Sequence, residues 1–503
     1  MALTPARAGG ILLHPTSLPG THGIGDLGSE ALAWVEWLAA AGCRVWQVLP
    51  LGPIGAGNSP YQSPSSFAGN PLLISLERLA EQGLLAAEDV RRASSPAGPP
   101  VDYDAVREGK GRLLAAAAAA WPNSPADEKH AFEEFCQEES FWLDEAALFM
   151  ALRRAEAGKV WTEWPAPLAA RQPAALSQAR RDLKHDIEVE RLSQFWFHRQ
   201  WSALRDRCRQ LGVSILGDVP IYVSHDSAEA WSHPELFLLD PGGRPTVVAG
   251  VPPDYFTATG QRWGNPIYDW DRHASAGFSW WIERVRAALR WADFVRIDHF
   301  RGLDAYWEVP AEAVTAEVGR WVDAPGVSLL RALEHSLEGL PLVAEDLGVM
   351  TESVGRLRDR FGLPGMKVLQ FGLEAGAAAD FLPHNFTRPC IAYTGTHDND
   401  TSRGWYESAD ASTKDFCRRY LATDDAGVVS EMIRVIWSSI ADWAIVPLQD
   451  VLGLGSGARM NVPGVAEGNW TWRVDPGYQA GAPTDWLRDI GTVYGRLQSE
   501  TGA

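Results

Sequence analysis

Short apolar runs that stop abruptly at polar, glycine or proline residues recur along the chain. They are GILLH (10–14), CRVWQVLP (43–50), VSILGDVPIYV (213–223), ADFVRIDHF (292–300), PLVAEDLG (341–348), MKVLQFGL (366–373), CIAYTGTHD (390–398) and WAIVPLQDVLG (443–453). Most are separated by helix-like stretches such as SEALAWVEWLAAAG (29–42), where Ser29 reads as an N-cap and Gly42 as a C-terminal stop. Strands alternating with helices predict an α/β fold with a parallel sheet. Eight of them predict a closed (β/α)8 barrel.

The spacing of the runs is uneven. A plain barrel takes roughly 250 residues, so much of this 503-residue chain must be insertion within one catalytic barrel spanning 1–503. The largest surplus, approximately 53–210, follows the second strand and predicts a helical insertion subdomain. RLLAAAAAAW (112–121) and FEEFCQEESFWLDEAALFMALRRAEAG (132–158) consist of good helix formers. A second insertion, approximately 224–280, contains VVAGVPPDYFTATGQRWGNPIYDW (247–270), which reads as a long aromatic loop over the C-terminal face of the strands.

Within ADFVRIDHF, side chains alternate between faces. Phe294, Arg296 and Asp298 share one, and Val295 and Ile297 take the other, against the helices. The polar set therefore looks into the barrel near the strand's C-terminal end, where barrel enzymes carry their chemistry. Three other runs end alike: Asp218 closes ILGD, Glu345 closes LVAE, and His397 and Asp398 follow IAYTGT. A lone acid at such a place is usually a helix cap or half of a salt bridge. Four carboxylates on one rim repel each other, Arg296 alone cannot neutralise them, and strain of that kind is retained for function.

Composition narrows the chemistry. A net charge of −19 argues against nucleic-acid or anionic-membrane partners, and no run approaches the roughly 18 apolar residues of a membrane span. The start, MALTPARAGG, has no secretory apolar stretch. Cys43, Cys136, Cys208, Cys390 and Cys417 are scattered and odd in number, which suits a reducing cytoplasm. There are 23 tryptophans, and Trp161, Trp164, Trp263, Trp405, Trp470 and Trp472 lie outside any apolar periodicity. Each is either a packing anchor or a flat face for a sugar ring. GIGDLG (23–28) matches a dinucleotide fingerprint, but eight residues separate it from the first strand and no ribose-binding acid follows the second. Its glycines are expected instead to let a loop pass close to the barrel mouth.

Clustered carboxylates without cysteine ligands or a phosphate loop leave two main chemistries. A metal-dependent barrel hydrolase would want several histidines after the first strand, where His14 stands alone, although HDND (397–400) would supply some ligands. Glycosyl transfer or hydrolysis needs two carboxyls, and aromatic platforms to bind the sugars. A third reading is a catalytically dead carbohydrate-binding barrel.

The order of GILLHPTSLPGTHGIGDLG (10–28), WQVLPLGP (46–53), NSPYQSPSSFAGNP (58–71), GDVPIYV (217–223), GQRWGNP (260–266), RIDHFRG (296–302), AEDLG (344–348), GTHDND (395–400) and NVPG (461–464) resembles the amylomaltases. These are the 4-α-glucanotransferases or disproportionating enzymes, family 77 of the glycoside hydrolases, and the resemblance covers essentially the whole chain. It implies transfer of α-1,4-glucan segments between maltooligosaccharides by a retaining double displacement, with no cofactor and no metal. A retaining α-glucan hydrolase is the alternative, since carboxylate spacing does not distinguish water from a sugar acceptor. The length lacks the extra N-terminal region of some larger relatives, so no accessory glycan-binding module is expected.

By the same resemblance Asp298 would be the nucleophile, Glu345 the general acid/base and Asp398 the carboxylate that stabilises the transition state, with Arg296 holding Asp298. Tyr61, Asp218, Trp263, His299 and His397 would contact sugars, as would Gln261, Phe371 and Asn469. Retention requires the two working carboxyls about 5–5.5 Å apart. Burial and neighbouring carboxylates should push the pKa of Glu345 upward. Chain-length preference, cyclic product size, oligomeric state and pathway are not written in the sequence.

Overall fold

The computed structural model describes residues 7–95, 98, 100–253, 257–348 and 350–497. Among them twelve strands form: β1 (Ala8–Leu12), β2 (Val45–Gln47), β3 (Ser214–Pro220), β4 (Val247–Val251), β5 (Gln261–Pro266), β6 (Phe294–Asp298), β7 (Ala305–Pro310), β8 (Arg320–Asp323), β9 (Leu342–Ala344), β10 (Gly365–Val368), β11 (Cys390–Tyr393) and β12 (Trp443–Pro447). Each of the eight apolar runs supplies one strand of a parallel sheet ordered β10-β11-β12-β1-β2-β3-β6-β9. The Ala344 N–H at the end of β9 donates to Pro364 O, just before β10, at 2.9 Å. That bond joins the sheet's two ends, so the fold is a (β/α)8 barrel.

The alternation along β6 holds. Val295 and Ile297 are each 1% exposed among the core side chains, while Phe294 meets Trp443 of β12 edge to face at 4.9 Å. Between β2 and β3 the chain is helical, including Tyr103–Ala120, Ala126–Glu138, Leu143–Ala155 and the 27-residue Lys184–Gln210. The alanine run lies in the first of these, which Asp102 caps by accepting from Ala105 N–H at 3.1 Å. The long helix returns to the barrel, where Trp201 donates to Trp291 O at 2.9 Å.

Two expectations change. Helix Ser29–Ala40 starts at Ser29 with Gly28 as its N-cap, because Asp26 accepts from Gly28 N–H at 3.0 Å and closes the turn before Ser29. Gly42, at φ +73°, does stop it. The second change is larger. The segment 247–270 is no free loop: β4 and β5 pair antiparallel and join β7 and β8 in a second sheet, ordered β5-β4-β7-β8. Residues 254–256 of that segment lie outside the described residues. GIGDLG passes tightly against the turn at 15–18, where a Cβ on Gly25 would stand 2.1 Å from Pro15 O. Its Asp26 pairs with the buried Lys110 at 3.0 Å.

Candidate active site

The site's floor follows from strand register. Asp218 of β3 lies directly beside Arg296 of β6, and parallel neighbours put their side chains on the same face. Arg296 Nη1 donates to both carboxylate oxygens of Asp218, at 2.8 and 2.7 Å, and its Nη2 sits 2.7 Å from Asp298 Oδ1. One planar guanidinium thus bridges two carboxylates, a geometry a lysine ammonium does not reproduce. Burial alone would lower the Arg296 pKa, but Asp218 and Asp298 outweigh it and hold the group well above its usual value.

On the other side of β6, Ile297 pairs with Ala344 of β9. The ladder runs one step further, since Glu345 N–H donates to Ile297 O and Phe300 N–H to Glu345 O, both at 3.1 Å. This sets Glu345 beside Asp298 on adjacent strands, whose backbones lie about 4.8 Å apart. Burial, reinforced by Asp298 and opposed by Arg296, pushes the Glu345 carboxyl up to about 8. Its two oxygens accept backbone N–H groups, from His299 at 2.7 Å and Leu347 at 2.9 Å. His299 presents that N–H from a left-handed turn at φ +51°, strain of the kind that clusters at active sites. Its ring is lowered to about 4, mainly by burial, and is therefore neutral near pH 7.

Asp398 arrives from the segment after β11 and keeps its side chain 45% exposed. Asn461 Nδ2 donates to its Oδ1 at 2.6 Å, and Arg459 holds its carbonyl at 2.7 Å. Tyr61 stands between Asp218 and His397, donating to Asp218 at 2.7 Å and lying 3.0 Å from His397 Nε2. Its ring stacks on His397 at 5.3 Å and meets Trp470 at 5.8 Å. The short turn Pro60–Gln62 that carries Tyr61 is capped by Ser59, which accepts from Tyr61 N–H at 3.2 Å. Four carboxylates are accommodated without four cations: two share Arg296, one is pushed toward its protonated form, and one is left partly in solvent beside Asn461 and His397.

Above this floor, Trp263 of β5 meets His299 edge to face at 4.8 Å and donates to Gln261 at 3.1 Å. Of the six irregular tryptophans, Trp263 alone is half-buried; Trp161, Trp164, Trp405, Trp470 and Trp472 are buried. The structure thus brings together Asp298, Glu345, Arg296, Asp218, Tyr61, His397, Asp398, His299, Trp263 and Gln261. The ring contact of Phe371 and the hydrogen bonds of Asn469 go to other partners. Phe371 packs edge-on against Phe381. Asn469 spends its amide on its own loop, accepting from Val462 N–H at 2.9 Å and donating to Val465 O at 2.8 Å. Asn461 and Arg459 were missed. The NVPG motif contains the first, but nothing local in the sequence ties it to an acid 63 residues away.

The 4-alpha-glucanotransferase profile of glycoside hydrolase family 77 matches residues 13–479. The chain belongs to the 4-α-glucanotransferase family. It is 51% identical to the 4-α-glucanotransferase of Thermus thermophilus, over 94% of this chain and 95% of that protein. It is 47% identical to the one from Synechocystis, over 97% and 98%. A solved amylomaltase from Streptococcus agalactiae, in complex with acarbose, superposes with a TM-score of 0.94 at 36% identity, covering 98% of this chain and 100% of that one. Among the described residues of this family member, no helix is long and apolar enough to cross a membrane.

Proposed function

We infer that the protein is a 4-α-glucanotransferase that moves α-1,4-glucan segments between maltooligosaccharides by a retaining double displacement. The observation that carries the mechanism is the pairing of Asp298 and Glu345 across adjacent strands, with Arg296 on the first and a raised pKa on the second. Side-by-side carboxyls suit a nucleophile and an acid, whereas an inverting pair must stand further apart to admit a water.

In this reading Asp298 attacks C1 of the donor from below while Glu345, protonated, gives its proton to the leaving 4-oxygen. The carboxylate left on Glu345 is received by the N–H groups of His299 and Leu347, so losing the proton does not strand a bare buried charge. Glu345 then takes the proton of the incoming 4-hydroxyl, which displaces Asp298 and restores the α configuration. Asp398 offers its exposed carboxylate to ring hydroxyls, most strongly as the sugar flattens toward the oxocarbenium ion. Tyr61, His397, Asp218 and His299 line the sugar that reacts, and Gln261 and Trp263 cover it. We place the enzyme in the cytoplasm, which suits five unpaired cysteines.

Incubation with maltotriose alone tests this, with products resolved by length and total reducing ends followed. A ladder of longer maltooligosaccharides plus glucose at constant reducing ends is expected. Rising reducing ends without longer products would make the protein a hydrolase on the same barrel.

A further inference from the structure

Trp263 reaches over the site from one face of the second sheet, and what holds the opposite face decides where that ring stands. Side chains alternate along β5, so Gln261 and Trp263 share a face and Arg262 takes the other. Register places Arg262 beside Gly250, Gly250 beside Trp307 and Trp307 beside Trp321. This row crosses the far side of the sheet, and the segment 311–319 between β7 and β8 folds back over it. Arg262 donates to Ala311 O at 2.7 Å, Ala316 N–H to Thr259 O at 3.0 Å, and Trp307 Nε1 to Ala316 O at 3.0 Å. Ala316 is fully buried with Val248 and Val309 in a small apolar cluster separate from the main core. Gly319 lies so close that a Cβ there would stand 2.5 Å from the Trp307 ring. The apex, by contrast, projects into solvent, with Val314 93% and Val318 68% exposed.

We propose that the segment 311–319 is a strut that fixes Trp263 over Asp298 and thereby favours a sugar over water as the acceptor. The inference rests on the transferase reading and deepens it. β5 is the edge strand of that sheet, paired on one side to β4, so its position depends on what backs its far face. Arg262 and Ala316 are positioning residues that act through Trp263 and do not touch substrate. An edge strand released from the strut holds Trp263 less firmly and admits water to the glycosyl-enzyme.

The test is the partition of donor between transfer and hydrolysis on maltotriose, measured with the full chain. Arg262→Ala removes an exposed clamp, and Ala316→Pro removes the N–H that meets Thr259. Each should raise the hydrolysed share about threefold or more while donor consumption stays within about twofold. In a Trp263→Ala background Arg262→Ala should add nothing, because both changes act on the same ring. Val314→Ser at the apex should leave the partition unchanged. Should Ala316→Pro fail to fold, Arg262→Ala decides alone. An unchanged partition in Arg262→Ala, or its full effect persisting without Trp263, overturns the strut. A parent enzyme that only hydrolyses overturns the transferase reading instead, and that is seen before any variant is assayed.

Discussion

The floor of the site and the flap above it are built by different means. The floor is three adjacent barrel strands, in which hydrogen-bonded register sets Asp218 beside Arg296 and Asp298 beside Glu345. The side chains of Asp218 and Arg296 are buried, and the more open Asp298 is held by Arg296. The flap is an antiparallel sheet whose far face rests on a cluster of three fully buried residues, Val248, Val309 and Ala316. The difference suits two tasks in the proposed mechanism: the floor would hold reacting groups to a fraction of an ångström, whereas the flap would cover the bound sugar and exclude water.

Breaking the floor should therefore cost most. Asp298→Asn removes the oxygen that attacks in the proposed mechanism while keeping shape and the contact with Arg296. Turnover of maltotriose should fall by about four orders of magnitude or more, with maltohexaose binding, read by calorimetry, retained. Surviving turnover would mean that another carboxylate is the nucleophile. Arg296→Lys should cost roughly 100-fold in kcat, since an ammonium cannot bridge Asp218 and Asp298 at once. It should also destabilise the fold by about 3 kcal/mol, because Asp218 is left buried with half its partner gone. Chemical denaturation measures this second effect.

The floor also has a pH signature that the flap lacks. In the proposed mechanism Glu345 must carry its proton to act as an acid, and its carboxyl is pushed up to about 8. Activity should hold up to that pH and then fall about tenfold per pH unit. The sign for stability runs the same way. A folded-state pKa raised from 4.5 to about 8 means the native state binds the extra proton between those values. Stability is thus undiminished below 4.5 and is lost progressively as pH rises toward 8. An alkaline limb near pH 6 would show that the two backbone N–H groups outweigh burial.

How much of this was legible in the sequence divides along the same line. Barrel strands announce themselves because each is an apolar run ended by the polar residue it delivers, as ILGD delivers Asp218 and LVAE delivers Glu345. Their place on one rim followed from the barrel expectation, in which the C-terminal ends of the strands share one face. The flap was read as a loop because VVAGVPPDYFTATG is full of glycine and proline, and because β4 pairs with β7 across a long separation, Gly250 to Trp307. No local pattern marks such a pairing. The segments of β7 and β8 went unremarked for the same reason. Asn461 was out of reach too, since its partner Asp398 lies on a different strand's loop. Trp263 was singled out by resemblance, and its exposure, unlike that of the five buried tryptophans, is a fact of tertiary packing.

The smallest effect belongs to the flap and is the sharpest test of the division. Trp263→Ala removes a ring that meets His299 edge-on at 4.8 Å and leaves the floor's hydrogen bonds untouched. If the flap's task is to exclude water, attack by Asp298 is barely affected and kcat should stay within about tenfold. What changes is the fate of the glycosyl-enzyme, whose hydrolysed share should rise roughly threefold at low acceptor concentration. Raising the maltotriose concentration should restore transfer, because a sugar then competes with water by mass action. A loss that no acceptor concentration repairs would place Trp263 in the chemistry of the floor, and the two regions would not be separable. Chain-length-resolved product ratios at several maltotriose concentrations distinguish the outcomes, since only water attack raises total reducing ends.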